Sequence, residues 1–123
     1  MIYDRLLRER AQAGKPVRVG MFGAGFMARG ITNQILNSVP GMVLSVICNR
    51  SLERARTAYE QAGAREVTVV ETAAELAACI RDGRPAITVD PMLLCEAEGL
   101  DCLIDATGAL EYGAMISLAA IKN

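Results

Sequence analysis

A glycine-rich motif separates two segments of different hydrophobic pattern near the start of the chain. Residues 19–28 read VGMFGAGFMA, which contains G-x-G-x-x-A at Gly23, Gly25 and Ala28. The preceding residues 17–22 form a short run with valines and a phenylalanine, which predicts a strand. Residues 26–37 repeat apolar side chains at helical spacing, which predicts a helix. The motif therefore restricts this part of the chain to a tight turn from strand to helix.

The three small residues of the motif have different physical roles. Gly23 permits the tight turn, Gly25 has no Cβ and lets a pyrophosphate approach the backbone, and Ala28 lets the helix pack closely on the sheet. The free N–H groups and the positive dipole end of the helix would then face the phosphates. The motif predicts a nucleotide site, and a glycine turn needed only for packing is the alternative.

The rest of the chain continues the alternation of strands and helices. Further strands are predicted over residues 42–48, 67–70, 86–89 and 101–106. Helices are predicted from a Ser51 cap to residue 61, from a Thr72 cap to residue 81, and over residues 91–98 and 111–121. This order implies a parallel sheet with right-handed crossovers and helices on both faces. We predict an α/β fold, a Rossmann-type doubly wound parallel sheet over residues 15–123, preceded by an N-terminal helix over residues 1–14.

The turn after the second predicted strand bears on the choice between NAD and NADP. An NAD site usually has Asp or Glu here to accept from the ribose hydroxyls, whereas this turn reads Cys48-Asn49-Arg50-Ser51. Asn49 and Ser51 can hydrogen-bond a 2′-phosphate, and Arg50 can pair with it. The turn favours NADP, with NAD as the alternative. In the opposing interpretation, Arg50 is an exposed turn residue and Ser51 only caps a helix.

The sequence predicts no catalytic residue and no metal site in this chain. It contains no histidine, and neither Asp90 nor Asp105 has a partner that would make an acid–base pair. We interpret Asp90 as a helix cap and Asp105 as a strand-end or loop hydrogen-bonding residue. The four cysteines lie in apolar stretches without a C-x-x-C motif, so we predict buried, reduced packing residues in a cytoplasmic protein.

Composition narrows the classes of protein to which the chain could belong and the kinds of partner it could bind. With 123 residues and 52% hydrophobic residues, the chain is long enough for one domain with a modest core and too apolar for disorder. No apolar run approaches the roughly 18 residues of a membrane span. Residues 1–65 hold ten of the 13 basic residues, which suggests an anionic ligand or partner or, equally, helix faces that differ in sign. Because almost no aromatic residues interleave with these charges, nucleic acid is not predicted as a partner.

The segments "PVRVGMFGAGFMARG", "VICNRSLERA" and "CLIDATGALEYGA" carry a family resemblance. Residues 15–123 resemble the N-terminal NAD(P)-binding domain of homoserine dehydrogenase-like oxidoreductases, most closely the subgroup with a C-terminal SAF domain, which includes deoxyxylulose-phosphate reductoisomerase-like enzymes. The resemblance implies cofactor contacts at Gly23, Gly25, Phe26, Met27, Asn49, Arg50, Thr107 and Gly108. The adjoining Ala24, Ser51 and Ala106 complete the candidate site.

The resemblance also implies features outside this chain. In such enzymes the catalytic and substrate-binding residues follow the nucleotide domain, so we expect the N-terminal part of a larger, homo-oligomeric protein whose downstream domain holds a small-molecule substrate. The leading hypothesis is the dinucleotide-binding domain of an NADP-dependent oxidoreductase. A non-catalytic dinucleotide sensor and an assembly module with a vestigial site are the alternatives.

Overall fold

The computed structural model describes residues 16–107 and 115–117. It contains six strands, which are β1 (Val17–Phe22), β2 (Met42–Cys48), β3 (Thr68–Val69), β4 (Ala86–Thr88), β5 (Cys102–Asp105) and β6 (Met115–Ser117). Four helices lie between them, which are α1 (Phe26–Ser38), α2 (Leu52–Gln61), α3 (Ala73–Asp82) and α4 (Pro91–Glu96). The predicted N-terminal helix over residues 1–14 lies outside the described residues.

The strands form one sheet in the order β3-β4-β2-β1-β5-β6. The first five are parallel, and helices alternate with them along the chain, which confirms the predicted α/β doubly wound fold. β2 lies on one side of β1 and β5 on the other, so the direction in which successive strands are added to the sheet reverses at β1. Such a reversal opens a crevice at the carboxyl ends of the strands.

The sheet is covered on both faces by two separate apolar clusters. One cluster joins β1 and β2 to α1 and α2 and includes Met21, Ile47 and Tyr59. The other includes Val46 of β2 and Leu76 of α3, together with side chains of α4 and β5. The pairing of β1 with β2 shifts register between Val19 and Gly20. This irregularity accompanies a change in which face successive β2 side chains occupy, as at a β-bulge.

Local capping interactions begin the helices where the sequence predicts. The Ser51 hydroxyl accepts from the Arg54 N–H at 3.2 Å, and the Asp90 carboxylate accepts from the Met92 N–H at 2.9 Å. Thr72 forms a capping box with Glu75. Hydrogen bonds from the backbone N–H groups of Glu71 and Thr72 and from the Thr72 hydroxyl lower the pKa of the Glu75 carboxyl. These contacts involve residues close in sequence, so the amino-acid pattern alone identifies them.

Two predictions are wrong. The predicted helix over residues 111–121 is contradicted at residues 115–117, which form β6 and pair antiparallel with β5; the rest of that range lies outside the described residues. The free edge of β5 offers backbone hydrogen bonds that a local helical pattern does not reveal. Cys95 is exposed, whereas Cys48, Cys79 and Cys102 are buried as predicted, because the short helix α4 turns Leu94 rather than Cys95 into the core.

The described part of the chain contains no helix with the length and apolar character needed to cross a bilayer.

Candidate functional site

The carboxyl ends of the central strands are joined by backbone hydrogen bonds. The Gly23 N–H donates to the Cys48 carbonyl at 2.8 Å, and the Ala106 N–H donates to the Phe22 carbonyl at 2.8 Å. These contacts connect the turn after β1 with the end of β2 and with the loop after β5. The glycine motif therefore lies at the centre of this edge of the sheet, where the chain reverses direction.

Gly23 is required by both its backbone conformation and its surroundings. Its φ is +108°, a conformation that side chains with a Cβ rarely adopt. A Cβ at this position would lie 2.5 Å from the Ala106 carbonyl oxygen and 3.0 Å from the Thr107 Cα. Both neighbours are backbone atoms, so a side chain here would force apart the two loops. The role predicted for Gly23 is thus a structural necessity of this turn.

Gly25 is in the opposite situation. Its φ is −81°, which any residue can adopt, and a Cβ built on it meets no atom within 4 Å. Neither conformation nor packing within the described residues demands glycine here. A side chain at Gly25 would extend into open space beside the first turn of α1. In nucleotide-binding turns of this kind, such open space lets a phosphate group approach the backbone.

The start of α1 presents uncapped N–H groups to that space. Gly25 is the N-cap residue, and no side chain caps the helix, so donors of the first turn are left for water or a ligand. Ala28 is fully buried against the sheet, in agreement with its predicted packing role. Phe26 is 87% exposed and Met27 40% exposed, so both side chains lie on the outer surface of this turn, and Ala24 is buried beneath it.

Two of the candidate residues form hydrogen bonds that stabilise the turn after β2 and the start of α2. The Asn49 side-chain amide donates to the Ser51 carbonyl at 3.1 Å, and the Ser51 hydroxyl is the cap of α2. Asn49 retains a second amide hydrogen, and Ser51 retains its hydroxyl proton, so each can still donate once. Arg50 is exposed on the bend between them. The cap interpretation of Ser51 is confirmed, and a phosphate role in addition to it stays a prediction.

The loop after β5 is held by Asp105. One carboxylate oxygen of Asp105 accepts from the Thr107 N–H at 3.1 Å and from the Thr107 hydroxyl at 2.8 Å. This turn keeps the buried Ala106 against Gly23, and it confirms the interpretation of Asp105 as a loop hydrogen-bonding residue. Gly108, the last candidate residue, lies outside the described residues.

A cleft of about 470 Å³ continues from the glycine turn to the first turns of α2. Its lining contains Ala24 and Gly25 from the turn and, from the two helices, Phe26, Arg29, Glu53, Arg54 and Thr57. Neither Arg29 nor Arg54 belongs to a sequence motif that predicts the site. Arg54 stands three residues after the Ser51 cap, so its place in the first turn of α2 is a signal that the sequence does contain.

Two further observations limit the chemistry of the site. Burial, with smaller contributions from Asp90 and Cys95, raises the pKa of the Cys48 thiol to about 11, so this thiol at the end of β2 stays protonated and unreactive at neutral pH. Within the described residues, no group of three histidine, cysteine or acidic side chains could hold a metal ion.

No protein-family model matches the chain, and the search of curated proteins finds no match either. The fold and the geometry of the glycine turn are therefore the observations from which a function can be argued.

Proposed function

We propose that this chain is the dinucleotide-binding domain of an NADP-dependent oxidoreductase of the homoserine dehydrogenase-like or deoxyxylulose-phosphate reductoisomerase-like kind. One observation carries the proposal. Gly23 is required by the structure of the turn, whereas Gly25 is required by nothing within the described residues and faces open space. A second glycine that packing does not need is explained when a ligand occupies the space a side chain would fill.

The residues around that space fit a pyrophosphate. The uncapped N–H groups of α1 are donors for phosphate oxygens, and the positive end of the helix favours negative charge. Arg29 and Arg54 line the adjoining cleft and add two cations beside one carboxylate, that of Glu53. Anionic ligands commonly bind where helix donors and basic side chains converge, at the edge of a sheet where the chain reverses.

Within this proposal each part of the site has a separate task. Gly23, Ala24 and Gly25 with the first turn of α1 hold the pyrophosphate, and Phe26 and Met27 cover its outer side. Asn49, Arg50 and Ser51 lie toward the adenosine ribose. Ala106, Thr107 and Gly108 lie toward the nicotinamide end.

The bound cofactor would supply hydride transfer to or from a carbonyl or alcohol. This chain's own contribution is to bind and orient the cofactor. The substrate and the acid–base groups would come from a downstream domain, and the complete protein would be cytoplasmic and homo-oligomeric, without nucleic acid or a membrane as partner.

Calorimetric titration of the purified chain tests the proposal directly. We expect saturable binding of NADPH, tighter than binding of NADH, with one site per chain. Gly25→Val should abolish binding of both cofactors while circular dichroism shows a folded protein. Absence of binding by the unaltered chain would refute the proposal, and binding by a folded Gly25→Val variant would show that the glycine turn is not the site. Binding without turnover in the complete protein would favour a sensor over an enzyme.

A further inference from the structure

An apolar groove lies at the amino-terminal edge of the sheet, on the face that α1 and α2 cover. It has a volume of about 230 Å³. Among the described residues that line it, Arg65 alone is charged. The apolar lining includes Ile35, Leu36, Met42, Leu44, Tyr59 and Pro85. An occupant of this groove would therefore be held by apolar contact rather than by charge.

The floor of the groove is continuous with the apolar cluster that joins the sheet to α1 and α2. Ile35, Leu44 and Tyr59 are buried members of that cluster, and the half-buried Leu36 and Met42 pack against it. The Tyr59 hydroxyl donates to the Leu44 carbonyl at 3.0 Å, so it needs no partner from an occupant. Covering the exposed parts of Leu36 and Met42 would remove apolar surface from water and stabilise the fold.

The chain enters the described structure directly beside this groove. The Val17 N–H donates to the Gly41 carbonyl at 2.7 Å, and Val17 is paired with Met42 across β1 and β2. The Val17 side chain packs against the same apolar cluster as Met42, so β1 begins on the groove's side of the sheet. Residues 1–15, which lie outside the described residues, are therefore attached next to the groove.

The sequence of this attached segment fits an apolar groove. Its apolar residues repeat at helical spacing with charged residues between them, at Ile2, Tyr3, Leu6 and Leu7. This pattern predicts a helix with one apolar face over residues 2–12, about 16 Å long. The remaining residues 13–16 span at most about 14 Å. Such a short connection restricts the surfaces that the apolar face can reach to those near the start of β1.

We propose that residues 2–12 dock as an amphipathic helix in this groove of their own chain, with the apolar face against Leu36 and Met42. The helix would close the amino-terminal edge of the core. The inference does not rest on the proposed dinucleotide function. The glycine turn follows the opposite end of the sheet, separated from the groove by the seven residues of β2, a length of about 20 Å.

A larger groove of about 800 Å³ along α1 suits the segment less well. Its lining begins at Phe26, beside the glycine turn, and contains polar side chains from both helices, those of Arg29, Asn33, Gln34 and Gln61. Burying these groups against an apolar helix face would cost free energy wherever a hydrogen-bond partner was missing. The groove at Met42 carries no such cost.

A double-mutant cycle on the whole chain tests the contact by thermal unfolding. Leu6→Ala and Leu36→Ala should each lower the melting temperature by about 4 °C or more. Because either substitution already weakens the contact, the loss in the double variant should fall short of the sum by about 2 °C or more. Leu6→Ala with Leu93→Ala is the matched control, since Leu93 is half-buried in the apolar cluster on the opposite face, and those losses should add.

Hydrogen–deuterium exchange measures docking without reference to stability. The amides of residues 2–12 should be protected in the unaltered chain and lose that protection in Leu6→Asp. Exchange should rise in the same variant at residues 83–85, which border the groove. Gln12→Asp makes the same change in charge on the polar side of the predicted helix, and it should leave both regions as they are.

The outcomes separate docking on the same chain from the alternatives. Less-than-additive losses for Leu6 and Leu36, with protection that does not depend on protein concentration, support the proposal. Additive losses, or equal exchange in Leu6→Asp and the unaltered chain, overturn it. Protection that disappears on dilution, as a dimer seen by sedimentation dissociates, also overturns it and assigns the segment to the groove of a second copy.

Discussion

The two glycines of the motif offer a matched pair of substitutions with opposite expected effects. Gly23→Ala should destabilise the fold. A residue with a Cβ held in a rarely populated backbone conformation costs about 1–3 kcal/mol, and forcing a methyl group into a packed region costs about 1–3 kcal/mol more. Here the methyl would meet the Ala106 carbonyl oxygen at 2.5 Å, so we expect a loss of about 2–6 kcal/mol in the free energy of unfolding.

Gly25→Val should cost much less stability than Gly23→Ala. No atom lies within 4 Å of its added Cβ, so the cost is restricted to a poorer N-cap residue, about 1 kcal/mol. Its effect should instead be on binding, because the valine methyl groups would occupy the space assigned to the pyrophosphate. We expect the dissociation constant for NADPH to rise by about 100-fold or more, which corresponds to about 2.7 kcal/mol.

Thermal unfolding and calorimetry on both variants measure the two effects separately. Gly23→Ala should lower the melting temperature by about 8 °C or more, taking roughly 4 °C for each kcal/mol, and Gly25→Ala serves as the size-matched control with little change. A Gly23→Ala variant as stable as the unaltered protein would refute the account of the turn. A Gly25→Val variant that binds NADPH within about twofold of the unaltered affinity would refute the account of the site.

Three further predictions concern the rest of the chain. On the proposed function, these 123 residues should show no turnover with alcohol or carbonyl substrates in a dehydrogenase assay with NADPH, and substantial turnover would contradict this. Iodoacetamide should modify the exposed Cys95 first by mass spectrometry and Cys48 far more slowly, because its raised pKa keeps it protonated; equal rates would contradict the burial. Because the pKa of the Glu75 carboxyl is lowered in the folded protein, the stability that this carboxylate contributes is present above the unfolded pKa and is lost as pH falls through the folded pKa. Glu75→Gln should therefore reduce the fall in melting temperature between about pH 6 and pH 3. An unchanged slope of melting temperature against pH would contradict this prediction.

The parts of the fold that depend on neighbouring residues could be predicted from the sequence. The bounds of β2, the Ser51 and Asp90 caps and the Thr72 capping box all follow from side chains a few positions apart. The position of the glycine turn between β1 and α1 follows in the same way from the change in hydrophobic pattern.

The parts that depend on distant pairing could not be predicted. β4 lies between β3 and β2 although it follows both in sequence, and the hydrophobic pattern of a strand does not specify which neighbour it will choose. Residues 115–117 become a strand because the edge of β5 is free to pair with them. Likewise Arg29 and Arg54 line one cleft only because α1 and α2 lie side by side, which no local motif records.

The close packing of Gly23 against the backbone of Ala106 has a consequence for how the protein folds. Along this same β1–β5 boundary the Arg18 N–H donates to the Asp101 carboxylate, a contact between residues 83 positions apart. Pairing at this sequence distance is slow, because the entropy of closing a long loop is lost before any stabilising contact forms. A nascent chain that has emerged from the ribosome only as far as β4 has β2 beside β1, but the other edge of β1 is bare and prone to join another chain. The glycine turn is thus translated early and completed late, and chaperone protection would matter most during the interval between the two events.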